Sequence, residues 1–546
     1  MHHCLFINEI LEAIAWDISL AVYTNDHPSK TEELRPMLSD KKSLLAFILT
    51  CRTFCEPGLN VLWYQLDGIS PLAYTFHSSS IVKIDRGPTI YGHVETVAGF
   101  TRIPGPNDWE RFNIYANRVK SLVHTHTELR NVEEKFLSEL SLYRRTVNIL
   151  PNLRFLSWRD PRPDHFPYIS LFMGPSLRVV DTRVFSDEML INFWDLLGGT
   201  VPTIQKVIML ATRSEISDLA SGSQLEALSS LTGLKELRTC ELITSHDGVE
   251  ISARTLACLS NIPTLQTLKV RLRGGPIPAE PRTPVVAPND QFSSLRTVEV
   301  HIPDSGAMDT LVSFLTNYQL PYITQVTVCT RRQPPATQLR VLFEALSEKT
   351  QLRSISIYLF TEENLACTDP PYVVTESTIR QLFTLPLSRF NIFGFPNDID
   401  KTTVVKMAKS WPDLTVLSVS LPTWRHFQPP PPTLHVQDLE ILASGCPLLT
   451  QITLNLAMEV THCVEAGVPV RNARQPSNGR VNLNIGLPNL PKAVGQVKIA
   501  AFLTGLFANI RVSPYKTYRG GGSHSMDDFL KVVETLNKCR AQERLM

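Results

Sequence analysis

The sequence predicts an α/β chain in which a three-helix segment precedes an irregular repeat solenoid, a curved parallel sheet with outer helices. Three observations predict it. At 546 residues the chain is longer than a single compact core grows, so it either divides into domains or extends as a stack. Beyond residue 100 a short pattern returns: apolar, two intervening residues, apolar, one residue, apolar. Ahead of it, three sets of apolar residues spaced three and four apart crowd the first 66 positions.

Composition bounds the classes. With 43% hydrophobic and 19% charged residues the chain can bury enough apolar surface to fold, which excludes wholesale disorder. The 53 Lys+Arg against 52 Asp+Glu leave a charge of +1, so no broad footprint for nucleic acid or anionic membrane is expected. Met1 to Ile7 lacks a basic start, and Glu9 and Glu12 interrupt any apolar leader, so no secretory signal is expected. The longest apolar runs, 44–49 and 499–503, fall short of the roughly 20 residues a bilayer crossing needs. Ten scattered cysteines fit reduced thiols, and the expected location is cytoplasmic and/or nuclear.

The first helix follows Asn8, a capping residue, through Ile10, Leu11, Ile14, Ala15 and Ile18. A polar stretch over 23–39, broken by Pro28 and Pro36, reads as a loop. Asp40 then caps a second helix whose Leu44, Leu45, Phe47, Ile48, Leu49 and Cys51 predict burial on more than one side. Pro57, expected near a first-turn position, begins a third with Leu59, Leu62, Trp63 and Leu66.

Leu5-Phe6-Ile7-Asn8-Glu9-Ile10-Leu11 resembles the opening of an F-box, and Leu44-Leu45-Ala46 through Cys51-Arg52-Thr53-Phe54, Pro57 and Leu62-Trp63 is similar to the rest of it. Asn8 stands where that family usually has Pro, and the 23–39 loop is longer than usual. The resemblance implies that Leu5, Ile10, Leu11, Ile14, Leu44, Leu45, Phe54, Pro57, Leu62 and Trp63 bind a Skp-type adaptor.

Clear copies of the repeat start at Leu153, Leu265, Leu295, Leu352, Leu414 and Leu449, and weaker ones near Val119, Leu177, Ile204, Leu234, Ile323, Leu387 and Ile510. Units of about 24 to 35 residues overlap the leucine-rich-repeat period. Helical stretches are expected between them, over 223–231, 252–259, 307–317, 337–346, 375–383 and 436–444. Asp108 to Phe112 with Tyr115 and Arg118 resembles the junction of F-box leucine-rich-repeat proteins abundant in fungi, and Trp109 and Phe112 are expected to cap the first repeat. The expected organisation is an F-box-like domain at 1–66, a linker and cap at 67–118, a solenoid at 119–512, and a closing loop and helix at 513–546.

Period two turns Leu268 and Val270 to the core and Thr267, Lys269 and Arg271 to the concave side. The same count brings out Thr297, Glu299 and His301, then Ser354, Ser356 and Tyr358, then Gln451, Thr453 and Asn455. Lys269, Arg271, Glu299, His301, Tyr358 and Asn455 are the candidate substrate contacts, and Lys269, Arg271 and Arg273 form a basic strand suited to an acidic or phosphorylated segment. Two interruptions stand out, the Pro/Gly-rich 274–290 and the locally extended 429–432, which reads as a rigid inter-unit loop, while 465–479 is polar and expected to be mobile.

Chemistry is sparse. Cys51 and Cys55 lack zinc-site companions, and His124 and His126 share a strand face with no third ligand apparent, so surface histidines and no metal or cofactor are expected. The Gly-rich run 519–525 lacks the Gly-Lys-Ser/Thr ending of a phosphate loop, and no Gly-x-Ser-x-Gly elbow occurs. A non-catalytic chain is the expectation. The resemblance implies a substrate receptor of a Skp-cullin-F-box ubiquitin ligase, with cullin and RING subunits reached through the adaptor and an unknown protein as target. The alternative is a repeat scaffold unrelated to ubiquitin.

Overall fold

A computed structural model describes residues 7–19, 40–89, 92–125, 134–160, 162–184, 187–211, 234–242, 250–251, 253–272, 291–360, 373–420, 432–458, 480–485, 493–507, 509–514 and 524–543. These fall in two units, Met1–Val249 and Glu250–Met546. The expected helix at 223–231, the loops 274–290 and 465–479, Leu5, His126, Arg273 and Pro429 to Pro431 lie outside the described residues.

The first unit opens with helices α1 (Asn8–Ser19), α2 (Lys41–Thr50) and α3 (Arg52–Leu62). Leu11, Ala15, Leu44, Ile48 and Val61 are buried. The Asp40 carboxylate accepts the Ser43 amide at 2.9 Å, the expected cap. Three expectations need correction. Asn8 is already helical, because the Ile7 carbonyl accepts the amides of Ile10 and Leu11. Pro57 lies inside α3, where its missing N–H removes one ladder bond without ending the helix. On α2, Leu44 and Ile48 face inward, whereas Leu45 and Leu49 are 48% and 76% exposed, so burial is one-sided. Beside Pro57, Gly58 permits close approach of α3 to α2: a Cβ there would meet Ile48 Cγ1 at 2.4 Å.

The helices lead into strand β1 (Gln65–Asp67), which pairs in parallel with β4 (Ser121–Thr125). Parallel pairing continues through β5 (Phe155–Arg159), β6 (Val179–Val184), β7 (Lys206–Ala211) and β8 (Thr239–Glu241). Residues 67–118 hold an antiparallel hairpin, β2 (Ile81–Thr89) with β3 (Gly92–Phe100), and helix α4 (Pro106–Ala116). Phe76, Phe100, Trp109 and Phe112 form one aromatic cluster there, in which Trp109 and Phe112 are buried.

The second unit repeats strand and helix. Strand β9 (Glu250–Ile251) pairs with β10 (Thr267–Leu272), followed in parallel by β11 (Thr297–Ile302), β12 (Gln325–Thr330), β13 (Ser354–Leu359), β14 (Arg389–Phe393) and β15 (Val416–Ser420). A short pair, β16 (Leu434–His435) with β18 (Leu456–Ala457), flanks β17 (Gln451–Leu454), which continues the sheet into β19 (Arg480–Ile485) and β20 (Asn509–Pro514). Helices Ala253–Ser260, Ser305–Asn317, Ala336–Ser347, Glu376–Ile379, Lys401–Ser410 and Leu439–Gly445 return the chain between strands. Ala493–Leu506 and a closing helix, His524–Glu543, complete the unit, and Phe529 and Val533 of the latter are buried.

One backbone device recurs in both units. The carbonyl just before a strand accepts two successive amides from the next strand: Lys120 those of Arg154 and Phe155, Arg296 those of Thr324 and Gln325, Arg353 those of Ser388 and Arg389. Shared acceptors fix the pairing register at each step. No helix among the described residues is long and apolar enough to cross a membrane.

Candidate functional site

The N-terminal helices present apolar side chains that their own core does not use. Ile7 and Ile10, three apart on one face, are exposed at the start of α1, as are Leu45 and Leu49, four apart on α2. Of the expected adaptor contacts, Ile10 and Leu45 are exposed, and Ile14, Phe54, Leu62 and Trp63 are half-buried. Leu11, Leu44 and Pro57 face inward. Phe54 stacks on Phe47 at 4.7 Å, and Trp63 packs on Tyr115 at 4.4 Å. Arg118 bonds Asn60 and, at 2.6 Å, Glu56, joining α3 to the end of α4. Ile7 and Leu49 were not among the candidates, although Leu49 is legible as the residue one turn beyond Leu45 and off the Leu44–Ile48 line.

In the second unit, strand register lays the polar positions in rows. One row runs Lys269, Glu299, Thr327, Ser356, Asn391, Ser418 and the next Arg271, His301, Cys329, Tyr358, Phe393, Ser420. Lys269 Nζ lies 3.8 Å from one Glu299 oxygen, and His301 Nε2 lies 3.4 Å from the other. Asn391 donates to the Ser356 hydroxyl at 3.0 Å. Tyr358 stacks near Phe360, which is 52% exposed, and near Phe393. The face therefore has a charged end and an aromatic middle.

Ser354, Ser356 and Thr453, expected on this open face, are buried, because short side chains sink between larger row neighbours. Asn455 follows β17 and lines a small pocket with Asn397, Asp398 and Thr433, so it is not brought into the paired rows with Glu299 and His301. Burial, with Glu299 adding, pushes the Cys329 thiol up to about 12, which leaves it protonated and unreactive at neutral pH.

The first unit holds a cluster that contradicts the expected surface histidines. His124 is 3% exposed and stacks on Trp158 at 4.1 Å, on the core side of β4. Its Nε2 is 3.0 Å from Asp160 Oδ2, and His165 Nδ1 is 3.1 Å from the same oxygen without the alignment of a hydrogen bond. Arg162 donates its backbone amide and Nε to Asp160 Oδ1 at 3.0 and 2.8 Å and Nη2 to Oδ2 at 2.5 Å. Burial, partly opposed by Asp160, pushes His124 down and keeps it neutral. Burial also acts to raise Asp160, but hydrogen bonds from Arg162 and His124, with the His165 ring beside them, outweigh it and hold the carboxyl far below the usual range. Asp160 and His165 were missed because they lie 36 and 41 positions from His124 and join it only through the repeat turn.

No family model matches the chain, and no curated protein matches it. Among solved structures the chain is similar to one described as the Rad7 and Elc1 complex in yeast, at 11% identity over 62% of this chain and 76% of that one, with a TM-score of 0.27. It is also similar to the plant peptide hormone receptor RGFR1 in complex with RGF2, at 10% identity over 78% of this chain and 62% of the receptor, with a TM-score of 0.23. By its own strand order, register and returning helices, the chain is a parallel-sheet repeat structure that fits leucine-rich repeats.

Proposed function

We propose that the chain is a substrate-recognition adaptor of a Skp-cullin-F-box ubiquitin ligase. The N-terminal helices dock on the Skp-type adaptor, which brings cullin and RING subunits, and the repeat face recruits a target protein. The observation that carries this reading is the pair of exposed aliphatic faces, Ile7 with Ile10 and Leu45 with Leu49, on helices whose sequence resembles an F-box. Exposed aliphatic groups at this density suit a protein partner. The chain acts by holding its partners at high effective concentration, and ubiquitin transfer belongs to other subunits in the cytoplasm or nucleus.

Affinity purification from cells tests this. The intact chain is expected to bring down a Skp-type adaptor and a cullin, and the double substitution Leu45→Glu, Leu49→Glu to lose both. Absence of both proteins from the intact-chain sample sinks the ligase reading. Point substitutions suit this better than removal of residues 1–66, because β1 begins at Gln65 and pairs with the sheet.

A second reading, an interaction scaffold unrelated to ubiquitin with the helices as an N-terminal cap, draws on the Trp63–Tyr115 and Arg118–Glu56 contacts. On that reading the double substitution leaves the partner set unchanged.

A further inference from the structure

We propose that His124, Asp160 and His165 form a site for a divalent transition ion of the zinc class, with Arg162 as a cationic plug that the ion displaces. The donors come from three pieces of one unit: strand β4, the residue after β5, and the 3-10 turn Pro163–Phe172. The candidate donor atoms all lie within 4.8 Å of one another, and two imidazole nitrogens stand 3.0 and 3.1 Å from one carboxylate oxygen. A tetrahedron with bonds of about 2.0–2.1 Å has edges of roughly 3.3 Å, so small side-chain rotations suffice to place one ion among the three. Two nitrogens and one oxygen suit zinc, with a fourth position left for water.

A second observation points the same way. His165 is 3% exposed, and its Nδ1 is buried with no aligned hydrogen-bond partner among the described residues, although Asp160 Oδ2 lies 3.1 Å away. An ion would satisfy that nitrogen. Arg162 divides its contacts in a manner that fits: its amide and Nε hold Oδ1, as groups outside a metal's own ligands do, while Nη2 sits on the ligand oxygen Oδ2. The Arg162 side chain is 30% exposed, so it has a route to solvent that the buried histidines lack.

In the second unit, Glu299, His301 and Cys329 also bring donor atoms within 4.8 Å, but Lys269 already attends Glu299 and the donor set includes sulfur. Sulfur makes the two clusters spectroscopically distinct. Metal-stripped, full-length chain titrated with Co²⁺ alone is expected to bind one equivalent, with the visible absorption of a tetrahedral nitrogen-oxygen site and no thiolate charge-transfer band. Zn²⁺ should displace it. The double substitution His124→Gln, His165→Gln, checked for folding by circular dichroism, should abolish the signal. Arg162→Gln keeps all three donors and removes the competing cation, so it should bind about tenfold more tightly. The proposal is overturned by an absence of saturable binding, by a thiolate band that Cys329→Ser removes, or by an Arg162→Gln affinity no higher than that of the unaltered chain.

Discussion

At the residue scale, two positions show how a single side chain, or its absence, sets local stability. Gly58→Ala gains up to about 1 kcal/mol of helix propensity. It also places a methyl against Ile48, an overpacking that costs about 1–3 kcal/mol. A net loss near 1 kcal/mol is expected in urea unfolding, and a gain would mean that α2 and α3 separate freely. Asp108 accepts from Arg102 at 2.8 Å and from the Gly105 amide at 2.8 Å at the start of α4. The Arg102 bond foremost holds its carboxyl below the usual range, against the opposing effect of burial. A depressed folded-state pKa adds stability that is present above about pH 4 and lost as pH falls through the folded value. Asp108→Asn should therefore cost about 1–2 kcal/mol at pH 7. The gap to the unaltered chain should close progressively below pH 4 in paired denaturation curves. Residue-scale reading from sequence had within one strand what the expected surface histidines passed over: Leu122 faces the core, so His124, two residues on, does as well. It fails where the partners arrive from the next turn of the stack, as Asp160 and His165 do.

At the element scale, α2 separates the two uses of an apolar residue. Leu44→Ala is expected to cost about 2–4 kcal/mol, since Leu44 is fully buried. Leu45→Glu and Leu49→Glu are each expected to stay within about 0.5 kcal/mol of the unaltered chain. Thermal melts of the three variants check this, and a large loss at Leu49 would place that face inside the fold. The repeat strands were legible because each carries its own alternation. The β2–β3 hairpin was not, since its pairing skips register between Val82 and Lys83 and again between Asp85 and Pro88, which breaks the period. Strand β19 was missed for a different reason: Arg480 to Ile485 alternates well, but it follows a long polar stretch and lacks the leading Leu anchor.

At the scale of the whole molecule, a repeat stack is held by neighbour-to-neighbour contacts, so its ends need covering. In the second unit the closing helix His524–Glu543 meets this need: it buries Phe529 and Val533, Asn537 donates to the Ile510 carbonyl at 2.6 Å, and Arg540 donates to the Ala501 carbonyl at 3.0 Å. Truncation before residue 524 is expected to raise light scattering and to speed amide exchange in β20 and the helix Ala493–Leu506, leaving strands several repeats away protected. Uniform loss of protection through the second unit would argue against a stack with local cooperativity.

The shared carbonyl before each strand also bears on how such a chain can change over generations. Because two amides arriving with the next strand lock onto one oxygen at each step from β10 to β17, alignment is restored there whatever the return path has done in between. Residues can be added to or removed from the helical side without sliding one row of the face past another. The rows through Lys269 and Arg271 can therefore keep their order of side chains while the lengths between them drift, so the scaffold can diverge in spacing yet preserve the lettering of its recognition face.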